Sequence, residues 1–153
     1  MIDGRNPVFS VSEWSNVVEA GPYSDLSRII TDAEPNIPPE EIFGGEPEHG
    51  WCWYYEKMSL AQQKEDWDEA IRLADEAIEN GFHAEDRIEW IPVVQAMAYA
   101  GRIDDARSYG EILKTYDFLK YEACNYYRNT PKYFSKPVPS AEGQAWLESE
   151  FCE

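Results

Sequence analysis

Two histidines, three cysteines and a few pairs of adjacent acids are the side chains through which this chain could do chemistry. His49 follows Glu46-Pro47-Glu48, a carboxylate–imidazole grouping of the right kind for a cation, but its spacing matches no established ligand pattern. It reads as a loop residue ahead of a helix. His83 follows Asn80-Gly81-Phe82 in a hairpin turn and has no second ligand beside it. Glu40-Glu41 and Asp104-Asp105 could be offered as general acid and base. That work needs carboxyls whose surroundings split their pKa values, whereas consecutive acids at a helix start simply complement its dipole. The chain carries no nucleophile elbow, phosphate-binding loop, dinucleotide fingerprint or zincin helix. A non-catalytic protein is expected, with no cofactor and no metal.

The cysteines are Cys52, Cys124 and Cys152. An odd number without a Cys-x-x-Cys pair is neither a disulfide framework nor a zinc site. If helices stack regularly, Cys52 and Cys124 lie two helices apart, about 18 Å by ordinary interaxial spacing. A bridge needs α-carbons within about 7 Å. No Cys52–Cys124 bond is expected, and both thiols should be free.

Charge narrows the partners. Thirty acids against thirteen bases give a net charge of −17, so nucleic acid and anionic lipid would be repelled. No run approaches the ~18 apolar residues that a membrane span requires. Ile2-Asp3-Gly4-Arg5 resembles a protease-recognition linker, as expected of a segment cut from a longer chain. Aromatic residues make up 14% of the chain, concentrated in Trp51-Cys52-Trp53-Tyr54-Tyr55 and between Tyr116 and Phe134. Helical rotation spreads the first run around more than a full turn, so most of it must serve packing rather than ligand contact.

The elements that position these residues fall into three segments. Residues 1–50 read as an extended wrapping segment with one short helix, Trp14 to Ala20, opened by a capping box at Ser10 and Glu13 and stopped by Gly21-Pro22. Pro35, Pro38, Pro39, Gly44, Gly45 and Pro47 keep the remainder extended. Val8, Phe9, Trp14, Ile29, Ile30 and Phe43 are its expected anchors on a helical core. Residues 51–134 read as two helical hairpins and a capping helix. The first hairpin runs from Trp51 to Lys64 and, after a cap at Asp66, through Trp67, Ala70, Ile71, Ala74, Ala77 and Ile78 as one apolar stripe. The second spans Arg87 to Ala100 and Ile103 to Lys114, and Tyr121 to Arg128 covers the end. Residues 135–153 form a linker and a last helix from Ser140 bearing Trp146, Leu147 and Phe151.

Equivalent positions of the two hairpins lie 36 residues apart: Tyr54 and Trp90, Ala61 and Met97, Trp67 and Ile103, Ala70 and Ala106, Ala77 and Leu113. Tetratricopeptide repeats have a period near 34, with a large residue early in the first helix and a small one at the helix crossing. The fold expected is all-α: tandem tetratricopeptide-like hairpins, a fragment of a right-handed solenoid. The repeats are degenerate. Met58 and Val94 stand where a small residue is usual, and Ala74 and Gly110 where an aromatic is usual. In such repeats the first helices line a concave groove. Here that surface would carry Tyr55, Ser59, Gln62, Ile91, Gln95, Tyr99 and Tyr127, an aromatic and amide-rich groove for a protein or peptide, or for a glycan acceptor. The basic clamp that some relatives use for a C-terminal carboxylate is missing.

The run from Ile42 to Lys57, followed by Ala61-Gln62 and Asp66-Trp67, resembles a region of large bacterial membrane proteins of the glycosyltransferase family 39 type, relatives of protein O-mannosyltransferases. In these a helical repeat domain follows the transmembrane part. The resemblance continues through Glu89-Trp90-Ile91-Pro92, Ala98-Tyr99 and Gly101 to Cys124, but only Phe43 to Lys57 is distinctive. Catalytic acids of that family lie in the membrane portion, so no catalytic residue carries over. The resemblance implies a tethered accessory domain on the outer side of the cytoplasmic membrane. A free-standing soluble adaptor, or a structural lid on its own membrane portion, are the competing expectations.

Overall fold

Side-chain caps open three of the helical segments, and two of the three are legible in the sequence as Asp-x-x-Glu. The computed structural model describes residues 14–23, 38–45 and 48–153. Among them lie eight α-helices: α1 (Ser15–Ala20), α2 (Glu40–Phe43), α3 (Trp51–Gln63), α4 (Trp67–Glu79), α5 (Trp90–Tyr99), α6 (Ile103–Gly110), α7 (Asp117–Asn129) and α8 (Ala141–Cys152). No strand occurs among the described residues, so this part of the chain is all-α. The Asp66 carboxylate accepts the Glu69 N–H at 3.1 Å and starts α4. Glu69 does not close the capping box, because its carboxylate is held by Arg72 at 2.6 and 2.7 Å. Gly81, at φ 77°, supplies the left-handed residue that ends this helix. Asp86 caps a 3-10 turn over Arg87–Glu89, so α5 begins only at Trp90. The Ser140 hydroxyl accepts the Gly143 N–H at 2.9 Å and starts α8. Two bounds differ from expectation: α6 gives way to a 3-10 turn over Glu111–Lys114, and α7 starts a full turn before Tyr121.

Three helix pairs pack as neighbours in the chain, α3 on α4, α5 on α6 and α7 on α8. Helix α5 sits at the centre and touches α3, α4, α6, α7 and α8. Every residue from Trp90 to Tyr99 is buried. A helix apolar all round must be covered all round, and the sequence Trp-Ile-Pro-Val-Val-Gln-Ala-Met-Ala-Tyr carries no charge. Ala70 and Ala106 have no exposed surface. Ala70→Leu or Ala106→Leu should each lower the unfolding free energy by about 1–3 kcal/mol through overpacking, read as a shift of the urea midpoint at constant slope.

The expected N-terminal anchors are corrected where they can be seen. Trp14 is 79% exposed and Phe43 71% exposed. Their helices have six and four residues, too short to hold a buried stripe, and neither contains a buried residue. Val8, Phe9, Ile29 and Ile30, and the capping box at Ser10 and Glu13, lie outside the described residues.

The last helix belongs to the core: Leu147 and Phe151 of α8 are fully buried. Folding α8 back on α7 also overturns the expectation of free thiols at both Cys52 and Cys124. Cys124 is bonded to Cys152, with α-carbons 5.0 Å apart, while Cys52 is free and exposed. Spacing between repeats placed Cys52 far from Cys124 but took no account of a last helix returning along α7.

A left-handed residue ties the loop before α8 to the first hairpin. Glu65 adopts φ 57°, and its carboxylate accepts the backbone N–H groups of Ser135 at 2.5 Å and Lys136 at 3.0 Å. Partial burial alone would raise its pKa, but these hydrogen bonds outweigh it and hold the carboxyl below its ordinary 4.5. A depressed folded-state pKa gives stability that is fully present above about pH 4.5 and is lost as pH falls through the folded value. Glu65→Gln should therefore lower stability near neutrality and flatten its fall on acidification, as measured by thermal melts from pH 7 to 3.

Candidate functional site

The seven residues expected to line an open groove are buried or half-buried. Tyr55 and Ser59 are half-buried; Gln62, Ile91, Gln95, Tyr99 and Tyr127 are buried. The Gln62 amide donates to the Pro92 carbonyl at 2.7 Å and the Tyr127 hydroxyl to the Ile91 carbonyl at 3.1 Å. Helix α8 completes the filling: the Tyr99 hydroxyl donates to Gln144 Oε1 at 2.6 Å, and Gln144 Nε2 donates to the Tyr127 carbonyl at 3.0 Å. The groove read from the sequence is thus occupied by α7 and α8, because the uncharged α5 needs cover on the side a solenoid would leave open. Gln62 Oε1 and Gln95 Oε1 are buried without a hydrogen-bond donor among the described residues. Burial pushes the hydroxyls of Tyr99, Tyr126 and Tyr127 above the ordinary tyrosine range, so none is poised for proton transfer near neutrality.

The other candidates are dispersed. His49 is stacked on Trp53 at 4.0 Å between ring centroids, and Lys57 lies 5.7 Å from the same indole. His83 is an exposed turn residue. Asp104 pairs with Arg107 and Asp105 with Arg102 on the surface of α6. Glu40 and Glu41 occupy the first turn of the short α2. No cluster of three potential metal ligands occurs among the described residues, and Glu46 lies outside them. In the aromatic run, Trp51 packs on Trp90 and donates to Glu89 at 2.8 Å, and Tyr54 donates to Glu76 at 3.0 Å. These are packing roles, as helical rotation implies.

One accessible apolar surface lies at the start of α7. A shallow depression of about 650 Å³ is lined by Glu85, Asp86, Arg87, Tyr116, Phe118 and Leu119. Its position follows from the α7 stripe. Leu119, Ala123 and Tyr127 face inward at helical spacing, which turns Phe118 and Tyr121 outward. Tyr116 is 61% exposed, Phe118 48% and Tyr121 61%. The Arg87 guanidinium stands 5.3 Å from the centre of the Tyr116 ring and donates to Thr115 Oγ1 at 3.1 Å. The Asp86 carboxylate accepts the Ile88 N–H at 3.1 Å, while among the described residues Glu85 and Asp117 make no ion pair. The aromatic concentration from Tyr116 onward was visible in the sequence. Its outward face was not, because the helix was expected to start only at Tyr121.

Among the described residues no helix is long and apolar enough to cross a membrane. No protein-family model, curated protein or solved structure matches the chain.

Proposed function

We propose that this chain is a non-catalytic helical interaction domain built from tandem tetratricopeptide-like hairpins, the extracytoplasmic accessory part of a glycosyltransferase-like membrane protein. The observation that carries the interaction role is the exposed aromatic face of Tyr116, Phe118 and Tyr121 beside an open depression. Exposed aromatic anchors of this kind are the usual centre of a protein interface. Burial supports the repeat reading. At the offset of 36, Tyr54 and Trp90, Ala61 and Met97, Ala70 and Ala106, and Ala77 and Leu113 are all buried, while Trp67 and Ile103 are both half-buried. The Cys124–Cys152 bridge supports the location, since structural disulfides persist on the oxidising side of a membrane.

Two measurements on the intact host protein test this. A membrane-impermeant maleimide added to whole cells should label the exposed thiol of Cys52, with Cys52→Ser as the blank. Labelling only after permeabilisation would leave the soluble adaptor as the better reading. A photocrosslinking amino acid at position 118 should capture a partner, and one at position 79, on the outer end of α4, should not. Crosslinks confined to the same polypeptide would make the domain a lid on its own membrane portion.

A further inference from the structure

We propose that the partner seated in the α7 depression is a cationic protein segment: lysine or arginine side chains flanking one aliphatic or aromatic anchor. This rests on the reading of the chain as an interaction domain and names the chemistry of its partner. Three observations carry it. The floor is Tyr116, Phe118 and Leu119, which suits an apolar anchor. Glu85 and Asp86 line its edge with Arg87, and the exposed Asp117 lies next to it in the chain, between Tyr116 and Phe118; among the described residues neither Glu85 nor Asp117 forms an ion pair. Arg87 itself marks what the ring accepts, because its guanidinium already stands over the Tyr116 ring at 5.3 Å.

The whole chain selects the same sign. At −17, its field attracts a basic segment and accelerates the encounter, and it repels acidic ones. A second copy of this chain brings the same charge to the contact, so self-association through this face is opposed. An exposed ring beside the Glu85 and Asp86 carboxylates discriminates twice, by charge at the rim and by apolar contact at the floor.

The test uses the full chain and three fluorescein-labelled peptides in about 50 mM salt. One has a Leu-Trp centre between lysine pairs, one the same centre between glutamate pairs, and one the lysine pairs around Gly-Ser. Anisotropy should show the first binding at least about tenfold more tightly than either other, with affinity falling as salt is raised through the range where the Debye length shrinks to about 8 Å. Phe118→Ala should weaken it about fivefold or more, as for a central anchor. The double variant Glu85→Gln, Asp117→Asn should weaken it and flatten the salt dependence. All these side chains are exposed, so unchanged melting curves are expected for the variants. A control double variant on α4, Asp68→Asn with Glu79→Gln, should bind as the parent does.

Equal loss in that control would mean diffuse attraction to an acidic surface and would overturn the proposal. Equal binding of the glutamate peptide, or no binding by the lysine–Leu-Trp peptide, would also overturn it. If crosslinking from position 118 captures a partner through an acidic or uncharged segment, the interaction role stands and this inference falls. If no partner is captured at all, the role itself falls.

Discussion

Gly143→Ala is expected to lower the unfolding free energy by about 3 kcal/mol, the upper part of the range for overpacking a tight contact. A Cβ built at Gly143 would stand 2.3 Å from the Ala98 carbonyl oxygen and 2.8 Å from its carbon. Both are backbone atoms at the end of α5, so no side-chain rotation relieves the clash. Either α8 moves away from α5 or the end of α5 deforms. Moving α8 disturbs Leu147 and Phe151, which are fully buried, and the Tyr99–Gln144 hydrogen bond. The sign makes the test decisive. In an unconstrained helix, alanine is favoured over glycine by about 1 kcal/mol, so a stabilised Gly143→Ala would show that the close approach of α8 to α5 does not exist. Ala145→Gly, at an exposed site on the same helix, calibrates the propensity term alone.

Gly143 also marks where legibility in the sequence ends. Local grammar carried in part: Asp66 caps α4, Asp86 caps a 3-10 turn ahead of α5, Gly81 stops α4, and Ala70, Ala74 and Ala77 of the stripe are buried. These features depend on neighbours within a turn or two, which a sequence displays directly. A glycine three residues into a helix says nothing about which backbone it will touch. The return of α8 across α5 and α7 is a long-range event of that kind, and the groove and the disulfide both depended on it. Two signals did point to a closed groove. One was the uncharged run of α5, which no two-hairpin stack could cover. The other was Leu147 and Phe151 at the spacing of a buried stripe, in the last helix.

The site shows the same division. The groove residues from Tyr55 to Tyr99 were assigned by repeat position, and hydrogen bonds join part of the set: Gln62 to the Pro92 carbonyl, and Tyr127 to that of Ile91. Repeat position fixes which residues share a face, whereas accessibility depends on what packs there afterwards. At the start of α7 the error ran the other way. Tyr116-Asp117-Phe118 has no capping signature, and the Tyr116 cap indeed makes no side-chain hydrogen bond. The helix therefore began a turn earlier than any local cue announced, and its first turn carries the exposed Phe118.

Removing the bridge with Cys152→Ser should cost about 3.5 kcal/mol, the loop-closure entropy for two cysteines 28 positions apart in the chain. That figure holds only if α8 can leave α7 in the unfolded ensemble and not in the native state. Native packing supports that condition. Tyr127 of α7 and Phe151 of α8 meet edge to face at 5.3 Å between ring centroids, Lys114 pairs with Glu150, and Lys120 donates to the Glu153 carbonyl at 2.8 Å. The reduced protein should therefore keep its far-ultraviolet spectrum while its denaturant midpoint falls. Thiol counting separates this from a chain with no bridge. In denaturant without reductant, intact mass should show one alkylated cysteine, Cys52, and three after reduction. Two or three reactive thiols in the native oxidised protein, isolated from its own compartment, would remove the bridge and with it the support for an oxidising location. A bridge confirmed by mass, with no loss of stability in Cys152→Ser, would mean that the α7–α8 contact alone holds the end of the chain. Cytoplasmic reduction would then leave the fold intact, and the compartment would no longer follow from stability.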